Sequence, residues 1–463
     1  MSVEPIGLIM ILASLFALRL GSFALVHLMA VASVLIAAAA MFIGAANIQP
    51  GHVVLGALTV SVLSSRAETG EAIRALHPNR AGFWFACLAA YGIASAYFMP
   101  RLLEGTTHIV PLGTSVYDET GATIPLVPVS SNVTQSVYMA ANLACLIMVT
   151  AIASRPRGFE AVLSALLAYC VANTAFALID VVTYATGTQD ILGLIRNARY
   201  VLHTEAEVAG MKRIVGSFTE ASVFARSTLG VLGFAGTLWL CGYRPALTGS
   251  LAAASLVLVV LSTSSTGLVG APLVVVLLYL TALARLRSPA RQVGIAVLGT
   301  PLLLLLAVAI ILANGPLFET LYGYVDLVVL GKGQSDSAIE RSAWNVISFQ
   351  NFLDSWGLGV GLGTARASSI AIALLATVGI PGAVFYAIFA FETFIRPRPG
   401  HHPLQGDAAL AARNGAFGLI LGDLLVGPVI DQGLFFYMLA GLAAAVPARA
   451  VIKVQPLPWG VRA

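Results

Sequence analysis

Two stretches of this chain gather basic residues inside an otherwise apolar sequence. The first, residues 186–222, holds Arg196, Arg199, His203, Lys212 and Arg213, followed by Gly216 and Glu220. The second, residues 314–367, holds Lys332, Asp336, Glu340, Arg341 and Arg366, with Trp344 one helical turn after Arg341. Arginine presents a planar fork of donors that fits phosphate oxygens, and its charge does not titrate away. One fork from each stretch would suit a lipid-linked pyrophosphate held at a membrane surface. Ion pairs with the neighbouring acids Glu205, Glu207, Asp336 and Glu340, or contacts with lipid headgroups, account for the same residues equally well.

The second stretch carries two further signals. Helical spacing puts Arg341, Trp344 and Ile347 or Phe349 roughly on one side, as in an amphipathic helix lying on a membrane. Glycines at 357, 359, 361 and 363 then let the backbone approach another backbone, or a ligand, closely. Arg226 lies within an apolar run, where a charge faces a polar cavity, meets a partner or snorkels to the headgroups. Asp180, Asp423, Asp431, Glu392 and Arg413 fall near the ends of other apolar runs and have no assigned role. Ser262-Thr-Ser-Ser-Thr-Gly267 reads as a turn between two apolar runs, or as a polar kink in a helix.

Other chemistry finds no support. Cys87, Cys145, Cys170 and Cys241 lie in or beside apolar runs without metal spacing and read as packing residues. His401 and His402 sit in a Pro/Gly-rich connector and read as solvated. There is no Walker-type glycine loop, no Gly-x-Ser-x-Gly elbow and no Asp-x-Asp in a loop to hold a divalent ion. Any reaction is expected to need no metal and no cofactor.

The elements that must position these residues are membrane helices. Of 463 residues, 58% are hydrophobic and 10% charged, against about 25% charged in soluble domains. The mean hydropathy is +0.90. We therefore expect an all-α, polytopic membrane bundle forming a single integral membrane domain over residues 1–463, with no cleavable signal peptide. A hydrocarbon core about 30 Å thick needs about 20 apolar residues per helix. That ruler predicts helices near 4–18, 22–45, 50–65, 81–100, 133–153, 158–184, 223–240, 246–262, 268–283, 293–313, 368–394, 410–428 and 431–447, about eleven to thirteen of them spanning.

Orientation follows from the basic residues of the short connectors. Arg66, Arg74, Arg80, Arg155, Arg157, Arg244, Arg285, Arg287, Arg291, Arg396 and Arg398, with Arg449, Lys453 and Arg462 at the tail, all fall on one side, taken as cytoplasmic. The long loops, 101–132, 186–222 and 314–367, then face outward. A net charge of +4 suits such a protein better than a nucleic-acid binder.

Several motifs together resemble the O-antigen ligase/polymerase family, which includes Wzy-type polysaccharide polymerases, WaaL-type ligases and exopolysaccharide-production proteins. They are Arg213-Ile-Val-Gly216-Ser-Phe-Thr-Glu220, the Ser/Thr/Gly patch at 262–267, and Glu340-Arg341-x-x-Trp344. The series ends with Gly357-Leu-Gly-Val-Gly-Leu-Gly363, followed by an apolar run with Gly379-Ile-Pro-Gly382. The resemblance covers about residues 195–385 and implies a GT-C-like fold with long periplasmic loops in a bacterial inner membrane. The one-sided placement of arginine and lysine, with thirteen helices, puts the N-terminus in the periplasm and the C-terminus in the cytoplasm. The resemblance also implies an undecaprenyl-pyrophosphate-linked glycan donor, a glycan acceptor and a metal-independent glycosyltransferase reaction. A flippase and a chain-length regulator are implied as partners, alongside membrane lipids, and no nucleic acid.

Carried over by motif, Arg213 in loop 186–222 and Arg341 in loop 314–367 match the family's arginines. Arg199 with Gly210 fits an Arg-x10-Gly spacing seen in some polymerases. Ligases carry a histidine after the glycine run, where this chain reads Thr364-Ala-Arg-Ala-Ser-Ser369. Its lack favours a polymerase joining repeat units over a ligase. In the implied mechanism, Arg213 and Arg341 stabilise the pyrophosphate leaving group, and Glu340 or Glu220 is the candidate base. Arg199, Lys212, Arg226, Trp344 and Arg366 are candidate substrate-binding residues. The rival readings are a lipid or solute transporter, with pseudo-symmetric halves and broken helices around a midplane site, and an inactive envelope scaffold.

Overall fold

The computed structural model describes residues 2–44, 46–117, 123–199, 202–203, 207–208, 211–288, 290–331, 336–396 and 403–445. Glu205, Gly210, Lys332, Arg398, His401, His402, Arg449, Lys453 and Arg462 lie outside these, as does the side chain of Asp336.

The expected apolar runs fold as helices, all but one over most of their length. They are α1 (Pro5–Leu20), α2 (Ser22–Ala32), α3 (Pro50–Ser64), α5 (Ala81–Leu102), α6 (Ser131–Ala153), α7 (Pro156–Thr186), α8 (Ala221–Leu240), α9 (Pro245–Leu261), α10 (Ser265–Ala284), α11 (Arg291–Ala313), α14 (Ile370–Ala390), α15 (Pro403–Val426) and α16 (Gly433–Ala444). Three more, α4 (Arg66–Ala75), α12 (Gly315–Val325) and α13 (Asp336–Asp354), are not membrane runs. The protein is all-α, with eight described helices long and apolar enough to cross a membrane: α5–α8, α10, α11, α14 and α15. That is fewer than the number expected. α1, α2, α3, α9 and α16 are apolar but too short for the same test; the 12 residues of α16 rise only about 18 Å.

The departure at residues 22–45 shows why a hydropathy ruler overcounts. The helix stops at Ala32, although Ala37–Ala40 are good helix formers. Their backbone finds other partners: Ala37 N–H donates to Ser217 O at 3.0 Å, and the Asn197 amide brackets Ala39 at 2.9 and 3.1 Å. The chain continues into a small antiparallel sheet of β1 (Ser2–Val3), β2 (Met41–Ile43) and β3 (Ala46–Ile48). Tertiary pairing overrides propensity here, and it ties this segment to the loop that carries Arg213.

α8 is the hub of the bundle, buried almost all round. Gly233 on α8 meets Asn414 O of α15, and Gly418 on α15 meets Leu229 O of α8, closely enough that an added Cβ would stand 2.5 Å from each. Small residues on both helices let the backbones close up, as in membrane interfaces. α11 is the opposite case, with only Val293 buried and Leu302–Leu306 all exposed.

The helices alternate so that the long loops collect at one end. There, Pro111 bridges Ala365, Thr107 donates to Asp354 at 2.6 Å, and Ala367 N–H donates to Pro428 O. The short connectors with arginines collect at the other end. Glu68 there accepts from Ser22 at 2.9 Å and Arg155 at 3.4 Å, and Arg285 pairs with Asp407 at 2.8 Å. The one-sided distribution of arginines is thus a property of the fold.

Candidate functional site

The site begins with one buried carboxylate. Asp180, near the end of α7, is fully buried. Its Oδ1 accepts from Arg196 at 2.6 Å and from Lys212 at 2.5 Å; its Oδ2 accepts from the N–H groups of Val215 and Gly216, both at 2.9 Å. Lys212 also lies over the Tyr184 ring, 4.9 Å from its centroid. These bonds strap residues 212–216 onto α7. In extended backbone successive side chains face opposite ways. With Lys212 turned to Asp180, Arg213 is presented to the other side.

That side is where α12 and α13 arrive. Arg213 is half-buried and within electrostatic reach of Glu220, Arg341 and Tyr324. Burial lowers its pKa, Glu220 opposes that shift, and the like charge of Arg341 adds to it. An arginine so placed stays charged but gains from an anion. Burial likewise raises the Tyr324 phenol, with Arg213 opposing. Arg341 Nη2 stands 3.7 Å from Glu220 Oε1, both side chains 29% exposed. Glu220 begins α8 and also accepts from the Ser222 hydroxyl. Arginines from two distant stretches therefore flank one carboxylate.

α13 is amphipathic with its polar side inward. Asn345 accepts from Ser368 N–H at 2.8 Å, Ser348 donates to Arg366 O at 2.8 Å, and Asn351 donates to His108 O at 2.7 Å. Ile339, Val346, Phe349 and Leu353 face out, between 42% and 67% exposed, as on a helix resting on a membrane surface. Phe349 thus sits on the outward side, about 80° round the helix from Arg341. The Arg366 guanidinium lies over Trp344, 5.0 Å from its centroid, within cation–π range. The Nε atoms of Arg213 and Arg366 are buried without a hydrogen-bond partner.

Arg341, Ser342, Asn345 and Ser368 line a cleft of about 270 Å³ together with Leu424 and Leu425 from the end of α15. α10 begins at its edge, after Ser262–Ser264, which form a buried turn between α9 and α10. The cleft's arginine and serines thus stand beside two exposed leucines.

The other candidates are placed differently. Arg199 stacks on Phe42, 4.0 Å from the ring centroid, and joins its loop to β2. Lys212 pairs with the buried Asp180 rather than lining the cleft. Arg226 neither snorkels nor faces the cleft: its fork grips both oxygens of Asp423, and it donates to Gln432 O at 2.9 Å. Glu340 is exposed and makes no hydrogen bond or ion pair among the described residues. Asp180, Arg196 and Tyr324 were not assigned from sequence. The one available signal was that a carboxylate near the end of a membrane run needs a partner.

The glycine run serves the backbone. A Cβ at Gly359, φ 84°, would stand 2.7 Å from Gly379 N and Thr377 O. One at Gly379, φ 60°, would stand 2.2 Å from Gly357 O. The segment is wedged against α14 and the start of α6, where Asn132 donates to Leu362 O at 2.8 Å and Ser131 to Gly363 O at 2.7 Å.

Compared with known proteins, the chain matches no family model, no curated protein and no solved structure.

Proposed function

We propose that the protein joins oligosaccharide repeat units carried on undecaprenyl pyrophosphate, as a metal-independent polymerase with a GT-C-like fold in a bacterial inner membrane. The long-loop end would face the periplasm. The observation that carries this reading is that Arg341 stands 3.7 Å from Glu220 with Arg213 within electrostatic reach of both, beside a cleft lined by Arg341, serines and two leucines. In the reaction, an acceptor-sugar hydroxyl attacks the anomeric carbon of the donor, and the bond to the lipid pyrophosphate breaks. The two guanidiniums stabilise the charge that grows on the departing phosphate, and they do so from fixed positions. Of the two candidate bases, Glu220 is the one between the arginines and would take the hydroxyl proton. Before substrate binds, it offsets one of their two charges.

A second reading, a lipid or solute transporter, is favoured by one observation. α14 is kinked at Gly379, and Arg226 and Asp423 are paired inside the bundle, as at a midplane site. Cells lacking the protein separate the two. The polymerase reading expects single lipid-linked repeat units on the outer leaflet and no polymer. Repeat units held on the cytoplasmic leaflet would favour transport, and long polymer left unattached would favour a ligase.

A further inference from the structure

Just beyond Leu424 and Leu425 of the cleft lining, two carboxylates, Asp423 and Asp431, lie within electrostatic reach of one arginine, Arg226. Asp423, 5% exposed, takes the whole fork of Arg226 and a bond from Gln432 at 3.0 Å. Asp431, in the break between α15 and α16, is left with neutral donors only: Asn142 Nδ2 at 2.8 Å and Gly433 N–H at 2.9 Å, both on Oδ1. Its Oδ2 has no donor among the described residues. A carboxylate in such surroundings is costly unless a positive charge meets it.

Around that carboxylate, fully buried oxygens are also unmet. Asn142 and Tyr437 are both 0% exposed, and neither Asn142 Oδ1 nor Tyr437 Oη has a hydrogen-bond partner among the described residues. Asn142 is bonded to Asp431 through its amide nitrogen, and the Tyr437 hydroxyl is within electrostatic reach of the same carboxylate. α15 ends at Val426, bringing the negative end of its dipole to the break. Asn142 lies near the middle of the 23-residue α6, roughly 16 Å from its start. Helix ends and unwound backbone that reach into a bundle are a setting in which membrane proteins hold small cations.

We propose that Asp431, Asn142 Oδ1 and Tyr437 Oη bind one small monovalent cation, sodium or potassium. One arginine for two carboxylates leaves the cluster a single negative charge in excess, which calls for a single positive charge, and hard cations take oxygen ligands. Gln432 bonds to Asp423 and also accepts from Tyr386 at 2.7 Å, so an ion at Asp431 would brace the α14–α15–α16 junction. The groups within electrostatic reach of Asp431 that also titrate or carry charge are His52 on α3, Arg226 on α8, Asp423 on α15 and Tyr437 itself. This site stands whether the cleft joins glycans or not.

The test is thermal unfolding of the full chain in detergent at pH 8. Sodium and potassium chloride are titrated against choline chloride at constant ionic strength. A ligand of the folded state raises Tm as it saturates. Sodium or potassium should raise Tm to a plateau and choline should not. Asp431→Asn should abolish the response, and Tyr437→Phe, which keeps the ring packing, should raise the half-saturating concentration several-fold. Equal effects of choline would overturn the proposal. So would a wild-type response in either variant, or a Tm that follows pH at His52 or Asp431 regardless of the cation.

Discussion

At the residue scale, one buried carboxylate decides where the chemistry sits. Asp180 holds Arg196, Lys212 and two backbone N–H groups, and so aims Arg213. Removing one partner of a buried charge set leaves the others unpaired and costs about 3–5 kcal/mol. Asp180→Ala is therefore expected to lower Tm steeply, measured by thermal unfolding of the purified protein. A loss below about 1 kcal/mol would mean that Arg196 and Lys212 behave as exposed ions. Arg213 and Arg341 were legible as paired basic residues near glycine and tryptophan. Asp180 and Asp423 were visible only as charges near run ends, because Lys212 and Arg226 sit far along the chain from them. Arg226 drew notice for the right reason, a charge in a membrane helix, yet its partner needed the fold.

At the element scale, α13 and the glycine segment behind it form one unit. Alternating glycines marked close approach, but not what approaches; the answer is the backbone of α14 at Thr377–Gly379. Gly359→Ala and Gly379→Ala combine a left-handed backbone with overlap, at a cost of about 2–4 kcal/mol each. Gly56→Ala in α3 meets nothing within 4 Å and should be neutral. Folded yield and Tm after purification would check this. A tolerated Gly379→Ala would show that the wedge is loose. Helix positions were legible because a membrane run is written in composition. The early end of α2 was not, since it depends on Ser217 and Asn197 drawing the alanines into extended pairing.

At the scale of the whole molecule, the two ends differ in chemistry. The arginine-rich end holds Arg155 with Glu68 and Arg285 with Asp407; the other end holds the loops, the cleft and α13. The distribution of arginine marked this division in the sequence, because charged connectors follow the alternation of helices. The compartment each end faces is a separate matter. Single cysteines at Val116, 85% exposed in the first long loop, and at exposed Asn79 at the arginine-rich end provide the check in a background lacking the native four. A membrane-impermeant thiol reagent is expected to label the Val116 site and spare the Asn79 site in intact cells. The reverse pattern would invert the orientation.

The most direct measurement of the central claim is joining of purified lipid-linked repeat units by the wild-type protein and its arginine variants at matched protein levels. Removing one donor to the growing charge costs roughly 3 kcal/mol, so Arg213→Ala and Arg341→Ala should each lose about 100-fold in rate or more. Lysine at either position keeps charge without the fork and should retain part of the activity. Because both act on one leaving group, the double alanine variant should be hardly worse than either single one. Near-normal polymer from either alanine variant would remove that arginine from the site, and near-normal polymer from the double variant would contradict the account.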